Sequence, residues 1–453
     1  MIQAKPATHN KQYPKKQRQG HTMKKIPSYI ILCLTFCISS SAFGLTTFSP
    51  SLSVKGENTD NLYLSNNNRL SDFILIPSAD LELAMTDPTK GVEISYNPSY
   101  SFYQKYSENN AFRQGAGLNL WTDLARATRF EITDSFLRTE DPLSEEDITL
   151  GTEVPLPEQD TTIRTGRRLY YSNRARAALT HRFGQTDSLS LAYDYSILEN
   201  IDPEVEDNKR YSPSVVLTYW FNQKWGTETK GTFEKGDFET SDDFDNTIGR
   251  FRLIRLFTRH FQTFVEYTHT IMDFKGESED YKIYEPSVGI GWSMDEDSKI
   301  SLAAGYYIRD MEHSDSDTGF TVNGDIGKRW TFRRSSISLT GSSGYNQAYF
   351  GSENLGFSKF YQIAGSGRYE FTRHLSGGIF GSYRHTKYED LMDQRKDKAP
   401  TIGCNLNYQI TQWLLSRLTY TYRAIDSTDD ESEYEENRIM LIISVSSAQP
   451  YRL

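Results

Sequence analysis

The feature that most constrains this chain is a two-residue alternation of apolar and polar side chains, repeated in run after run between residues 48 and 445. Within residues 414–423, Leu418, Tyr420 and Tyr422 alternate with Arg417 and Thr419. A period of two places successive side chains on opposite faces of a β-strand, whereas a helix repeats about every 3.6 residues. The chain is therefore predicted to be all-β.

The connections between these runs are sorted by length, because short turns alternate with longer, acidic loops. This sorting is typical of a bacterial outer-membrane barrel, whereas a soluble β-sandwich has no reason for it. Aromatic residues also cluster at the predicted strand ends, where the rings of a membrane barrel lie at the headgroup level. They include Trp121, Tyr219, Phe221, Trp225, Trp292, Trp330, Phe332, Phe371 and Trp413.

Twenty strands can be placed between residues 48 and 446, and eighteen is the alternative count. An even number puts both chain ends on the periplasmic side. We therefore predict a transmembrane antiparallel up-and-down β-barrel of 18–20 strands over residues 45–447, followed by a short tail at 448–453. The cell outer membrane of a Gram-negative bacterium is the predicted location.

The composition and the N-terminus agree with an exported protein that lacks helical spans. Only 37% of the residues are hydrophobic and the mean hydropathy is −0.62, which excludes several membrane helices. Residues 23–44 have a basic start, an apolar stretch and small residues before the cleavage point, the pattern of a signal peptide. We predict a signal peptide over residues 1–44, of which 1–22 form an upstream extension. Beyond it Cys404 is the only cysteine, so no intrachain disulfide is expected.

The charge excludes nucleic acid as a partner. Seven of the 50 Lys and Arg residues, and none of the 60 acids, lie in residues 1–44, which leaves the remaining chain with a net charge of −17. A nucleic-acid binder would show a basic face or stripe. The expected partners are outer-membrane lipid, lipopolysaccharide, the barrel-assembly machinery and polysaccharide.

No catalytic, cofactor or metal site is predicted. The six histidines beyond the signal peptide lie outside any recognisable catalytic motif: His181, His260, His269, His313, His374 and His385. The acidic runs at residues 242–245 and 426–436 lack the ligand spacing of a calcium loop. We expect these loops to share divalent cations with lipopolysaccharide phosphates.

Arginines within the strands predict the inner face, because a charge facing lipid costs about 2–4 kcal/mol near mid-membrane. The pore-lining candidates are Arg174, Arg176, Arg250, Arg252, Arg368, Arg384, Arg417, Trp220 and Tyr307. With Glu131, Asp194 and Glu370 on the same face, two interpretations stay open. The arginines form a ladder of ion pairs that stiffens the wall, or they line an electropositive pore that conducts anions.

Many inward positions are Ser, Thr, Gly and Ala, which favours an open channel over a filled lumen. No plug domain precedes the first strand, so a constriction must come from a loop. The candidate is the segment from Glu140 to Gly166, which is the longest and contains Pro142, Pro155 and Pro157. The alternatives are a structural or receptor barrel with a closed lumen and a barrel hydrolase.

Several short motifs in the two halves of the chain form a recognisable pattern. The C-terminal part comprises Trp413, Tyr420, Tyr422, Ser427, Tyr434, Asn437 and Arg438. The N-terminal part comprises Thr59, Asp60 and Asn61, together with the run YYSN at residues 170–173. These motifs resemble the family of outer-membrane β-barrel porins found with exopolysaccharide and exosortase gene clusters, and the resemblance implies a role in exopolysaccharide export. The chain departs from it by continuing beyond Val445 to a non-aromatic end at Leu453.

Overall fold

The computed structural model describes residues 44–142, 166–203, 205–295, 297–350, 353–388, 395–430, 432–447 and 449–453, with the side chains of 346–356 left aside. Each strand pairs antiparallel with the next, and β1 pairs with β20, which closes the sheet into a 20-stranded up-and-down barrel. The predicted fold and strand count are confirmed, and the eighteen-strand alternative is wrong. The strands are β1 Leu45–Thr59, β2 Asp72–Asp87, β3 Lys90–Tyr103, β4 Ala111–Ala125, β5 Thr128–Thr139, β6 Tyr170–Arg182, β7 Ser188–Asn200, β8 Asn208–Trp220, β9 Trp225–Phe238, β10 Phe244–Leu256, β11 Phe261–Phe274, β12 Tyr281–Asp295, β13 Ser298–Met311, β14 Asp317–Thr331, β15 Ser335–Phe350, β16 Glu353–Glu370, β17 Leu375–Tyr388, β18 Lys396–Gln409, β19 Leu414–Ser427 and β20 Tyr434–Ser446.

The seam between β1 and β20 closes the barrel. Residues 51–59 of β1 pair with residues 446–438 of β20, and the two-residue strand β21, Tyr451–Arg452, pairs with Phe48 and Thr47. The C-terminal tail therefore continues the seam beyond the end of β20. Pro50, which has no N–H to donate, lies on β1 between these two paired stretches, where a proline does not interrupt a ladder.

The lengths of the connections confirm that short turns lie at one end of the barrel and longer loops at the other. At one end of the described strands the connections have two to five residues, and at the other end most have five or more. Short turns mark the periplasmic end of such barrels, so the longer loops are extracellular. Residues 1–43 of the predicted signal peptide, and residues 143–165 of the predicted constricting loop, lie outside the described part of the chain.

The outer surface carries large apolar side chains that a soluble protein would bury. Leu52 is 62% exposed, Val265 58% and Ile379 69%, and the residues next to each in its strand face the lumen. Aromatic side chains form exposed groups close to the short turns, including Phe221, Trp292, Trp330, Phe371 and Trp413. Trp121 departs from the prediction, because it lies over Gly91 on the inner face. No helix of the described residues is long and apolar enough to span a membrane.

The β15–β16 hairpin leaves the wall near the extracellular end. Strand β14 pairs with β15 only over residues 324–331, although β15 and β16 continue to pair up to Phe350 and Glu353. Tyr345 and Phe357 belong to this upper part, and Phe357 packs on the buried ring of Tyr307 at 5.9 Å between ring centres. The hydroxyl of Tyr345 donates to Glu285 on β12. The hairpin therefore leans across the inner face of β12 and β13.

Candidate functional site

The loop between β1 and β2, residues 60–71, turns into the extracellular mouth of the barrel. Leu62 is fully buried among Ile74, Ile76 and Tyr103, while Leu64 packs on Ile425 and Tyr434 in a second apolar cluster. Leu64 has a φ of 52°, a left-handed conformation that is unfavourable for a bulky residue and persists only where packing enforces it. Sequence reasoning missed this loop, although two leucines within a polar connection are a usable signal.

Eight buried charged side chains surround this loop, and no side chain among them is more than 9% exposed. The guanidinium of Arg438 lies 3.0 Å from Glu436, 3.6 Å from Glu57 and 3.7 Å from Asp141. Because the four bases and four acids contact each other, the charges balance. We call this set the mouth cluster; its members are Lys55, Glu57, Arg113, Glu140, Asp141, Arg167, Glu436 and Arg438.

The carboxylate of Glu140 is the most completely hydrogen-bonded acid of the mouth cluster. Arg113 donates to it from Nε at 2.9 Å and from Nη2 at 2.6 Å, and Ser101 and Tyr103 each donate a hydroxyl at 2.7 Å. Burial alone would raise the pKa of Glu140, but the charge and hydrogen bonds of Arg113 lower this pKa below its ordinary value. The neighbouring Asp141 also has a lowered pKa, because Arg167 and Arg438 outweigh its burial.

The motif residues that carry the family resemblance meet across the barrel seam. Thr59 donates to Glu436 at 2.8 Å, and the side-chain amide of Asn437 donates to Asp60 at 2.7 Å. Tyr420 in turn donates its hydroxyl to Asn437 at 2.8 Å. Motifs from the two ends of the chain therefore form one hydrogen-bonded unit that joins β1 to β20.

Among the predicted pore-lining residues, four arginines lie on the inner face of β6 and β10, and three of these contact acidic side chains. Arg176 contacts Asp194 at 2.7 Å, Arg250 contacts Glu228 at 2.6 Å, and Arg252 contacts Glu266 at 2.6 Å. The fourth, Arg174, lies on the same face of β6 as Arg176. The contacts in this part of the wall favour the interpretation that these arginines form ion pairs which stiffen the barrel.

The other three predicted arginines lie on β16, β17 and β19, and for two of them the hydrogen-bond partners are neutral. Arg417 donates from Nε to the amide oxygen of Asn407 at 2.6 Å. Arg384 contacts Gln362 at 3.4 Å and stacks over Phe360. Arg368 lines the same cavity as Arg417. The inner wall is therefore divided into a paired sector on β6–β11 and a basic sector on β14–β19.

The two predicted aromatic pore-lining residues occupy different surroundings. Trp220 packs on the inner-face cluster of Ile254 and Phe264 near the periplasmic end. Tyr307 is only 1% exposed, and its hydroxyl donates to Asp317 at 2.8 Å and accepts from Lys359 at 2.9 Å. The structure thus brings Tyr307 into the packing beneath the β15–β16 hairpin.

Acidic side chains of the extracellular loops link one loop to the next. Glu206 accepts the hydroxyl of Ser241 at 2.8 Å, Asp242 accepts the N–H of Ser278 at 2.6 Å, and Glu279 accepts the hydroxyl of Ser314 at 2.6 Å. Hydrogen bonds from Ser314 and from the backbone of His313 lower the pKa of Glu279. Within the described ranges, no group of three or more His, Cys, Asp or Glu side chains is arranged to hold a metal ion.

Comparison with solved structures finds outer-membrane barrels at low similarity. The chain shares 11% identity with OpdK of Pseudomonas aeruginosa bound to vanillate, covering 88% of this chain and 99% of that one, with a TM-score of 0.41. The chain shares 10% identity with OccK2 (OpdF) of the same species, covering 89% of this chain and 98% of that one, with a TM-score of 0.40. It shares 7% identity with the siderophore receptor PirA of Acinetobacter baumannii, covering 88% of this chain and 80% of that one, with a TM-score of 0.47.

The family comparison covers the C-terminal third of the chain. No curated protein has significant sequence similarity to the chain. Residues 301–447, which span nearly all of β13 to β20, match the family described as putative beta-barrel porin 2. Porins are channels and not enzymes, in agreement with the sequence prediction. Residues 301–447 are therefore similar to the putative beta-barrel porin 2 family, and the chain as a whole has the closed 20-stranded fold of an outer-membrane β-barrel.

Proposed function

We propose that this barrel is a passive channel that favours polar, anionic solutes, including acidic polysaccharide of the kind that the motif resemblance implies. The observation that carries the proposal is the basic sector, where Arg368 and Arg417 face the lumen among small polar side chains. The guanidinium of Arg417 donates to the neutral amide of Asn407, and such an arginine attracts anions more strongly than one paired with a carboxylate.

We place the constriction at the extracellular mouth. The β1–β2 loop, the mouth cluster and the leaning β15–β16 hairpin all lie at that end, whereas the basic sector lies near the short periplasmic turns. Solutes would therefore meet the basic sector on the periplasmic side of the narrow region. Insertion by the barrel-assembly machinery, and cations shared between acidic loops and lipopolysaccharide, belong to the same proposal.

A structural barrel with a closed lumen is the second candidate. Bulky side chains such as Leu62, Tyr307 and Arg438 are almost completely buried on the inner side of the extracellular end. Such packing is what a closed mouth requires, so this candidate differs from the first only in whether water passes the mouth.

Planar-bilayer recording of the purified full-length protein separates the two candidates. An open channel is expected to give stable conductance steps and a reversal potential displaced toward the anion in a KCl gradient. Absence of conductance from heat-modifiable, folded protein would favour the closed barrel. A cation-selective current would contradict the proposed role of the basic sector.

A further inference from the structure

We propose that the basic sector contains a binding site for an acidic sugar, at the periplasmic end of the lumen; this inference rests on the proposed channel function and names its solute. The site is a cavity of about 420 Å³ lined by residues of β14 to β19. This volume lies within the range of small-molecule sites, roughly 300–1,000 Å³.

The charge of the cavity lining is strongly positive, in contrast to the acidic chain. Arg329, Arg368, Arg373 and Arg417 line the cavity, whereas Glu370 is the one acidic residue of its lining among the described residues. A guanidinium presents a planar set of N–H donors that matches a carboxylate in two parallel hydrogen bonds. The lining therefore favours a ligand that bears a carboxylate.

Arg417 is held in position by neutral groups. The amide of Asn407 accepts from Arg417 Nε at 2.6 Å and donates to Asn405 at 2.8 Å, which fixes the orientation of the amide. Among the described residues, Arg417 has this neutral hydrogen-bond partner and no ion pair with a carboxylate. Its two terminal nitrogens are therefore available to a ligand.

Polar groups without charge complete the lining. Ser336, Ser338 and Ser366 provide hydroxyls beside the arginines, and Asn405 provides an amide. Gly378 pairs with Arg368 on one side and with Asn405 on the other, and its lack of a side chain leaves room for the amide of Asn405, which a Cβ at this position would meet at 2.9 Å. Hydroxyl and amide groups can exchange hydrogen bonds with a polyol. A carboxylate on a hydroxyl-rich molecule, an acidic sugar, satisfies both parts of the lining.

The test measures block of the channel current by galacturonate added on the periplasmic side, compared with galactose and acetate. Galacturonate is expected to block at a concentration at least about tenfold lower than either, because it engages both the arginines and the polar groups. Equal block by acetate would overturn the acidic-sugar assignment in favour of simple anion binding. Equal block by galactose would overturn the role of the arginines.

Two variants locate the site, and a third serves as a control. The R368Q/R417Q variant should raise the half-blocking concentration roughly tenfold or more. Asn407→Asp should act in the same direction while Arg417 stays in place, because it gives that arginine an acidic partner. Arg259→Gln removes an exposed arginine from a distant periplasmic turn and should leave the block unchanged. Normal block in both site variants would overturn the inference.

Calorimetric titration of the detergent-solubilised barrel with galacturonate separates failure of the site from failure of the channel. A protein that conducts but shows no heat of galacturonate binding contradicts the site and leaves the channel function intact. A protein that binds galacturonate, with binding lost in R368Q/R417Q, but does not conduct supports the site and contradicts the channel.

Discussion

At the scale of single residues, the mouth cluster concentrates the electrostatic interactions of this barrel. Arg438 contacts three carboxylates and is 2% exposed, so water cannot solvate those acids if the guanidinium is removed. A buried ion pair stabilises the folded state no more than a well-packed apolar pair would, yet removal of one of its charges strongly destabilises that state. The cluster is therefore sensitive to single substitutions.

Replacement of Arg438 by Gln should lower the free energy of unfolding by about 3–5 kcal/mol, because it removes the one guanidinium that contacts all three buried carboxylates of Glu57, Asp141 and Glu436. The measurement is the temperature at which the folded gel mobility is lost. Arg69→Gln is the matched control, since Arg69 pairs with Glu435 at the exposed surface and should contribute about 0–1 kcal/mol. Equal effects of the two substitutions would contradict the assigned importance of burial.

The stability of the mouth should depend on pH through Glu140. Because the folded pKa of this carboxyl is depressed below its ordinary value of 4.5, its contribution is fully present above pH 4.5 and is lost as the pH falls through the folded pKa. The unfolding temperature should therefore be flat from pH 8 to 5 and fall at lower pH. Glu140→Gln should weaken this fall, and an unchanged acid profile in that variant would assign the effect to other carboxyls.

At the scale of elements, connections and hairpins decide how wide the barrel is at its mouth. The β1–β2 loop has two buried leucines, and the upper β15–β16 hairpin leaves β14 to pack on Tyr307. The segment from Glu140 to Gly166 stays a prediction as a constriction. Asp141 near its start and Arg167 directly after its end contact each other at 3.5 Å within the mouth cluster.

Replacing residues 62–69 by two glycines should raise the single-channel conductance, because it removes Leu62 and Leu64 from the mouth. Planar-bilayer recording of the purified variant measures the change. The same replacement of residues 184–186 in a periplasmic turn is the control for loss of residues as such. Unchanged conductance after the first replacement would show that the β1–β2 loop does not limit the flow of ions.

The strand arginines of the paired sector should affect stability more than selectivity. In R250Q/R252Q, Glu228 and Glu266 lose guanidinium partners at 2.6 Å, so the unfolding temperature should fall. The charge-conserving variant R250K/R252K should unfold at a temperature between those of R250Q/R252Q and the unchanged protein. A heat-stable R250Q/R252Q barrel with weaker anion selectivity would instead support the pore-lining interpretation for this sector.

At the scale of the whole molecule, the barrel is closed by the last and first strands, so folding requires contacts between residues nearly 400 positions apart. Thr59 pairs with Arg438, and Asp60 accepts from Asn437, across this seam. Backbone groups must all be paired inside a membrane, which makes closure obligatory for a spanning sheet.

In cells, the protein should fractionate with outer membranes. After purification, it should be heat-modifiable on gels. A closed, fully hydrogen-bonded sheet resists detergent until it is heated, so unheated samples should migrate differently from boiled ones. Deletion of residues 434–453, which removes β20 and β21, should abolish this difference because β1 then lacks its partner across the seam and the barrel cannot close. A deletion variant that keeps the folded mobility would contradict the seam as the closing contact.

Local patterns in the chain were sufficient to predict the strands, a count of 18–20 and the inner face for the strand arginines, because a two-residue period depends only on neighbours along one strand. The same patterns placed Arg250 and Arg417 on the inner wall but could not distinguish them. Their difference arises from partners on other strands, Glu228 for one and Asn407 for the other. The inward β1–β2 loop and the mouth cluster likewise depend on groups such as Leu62, Glu57 and Arg438, which meet only after the barrel closes. Such contacts follow from register and closure, and no local period encodes them.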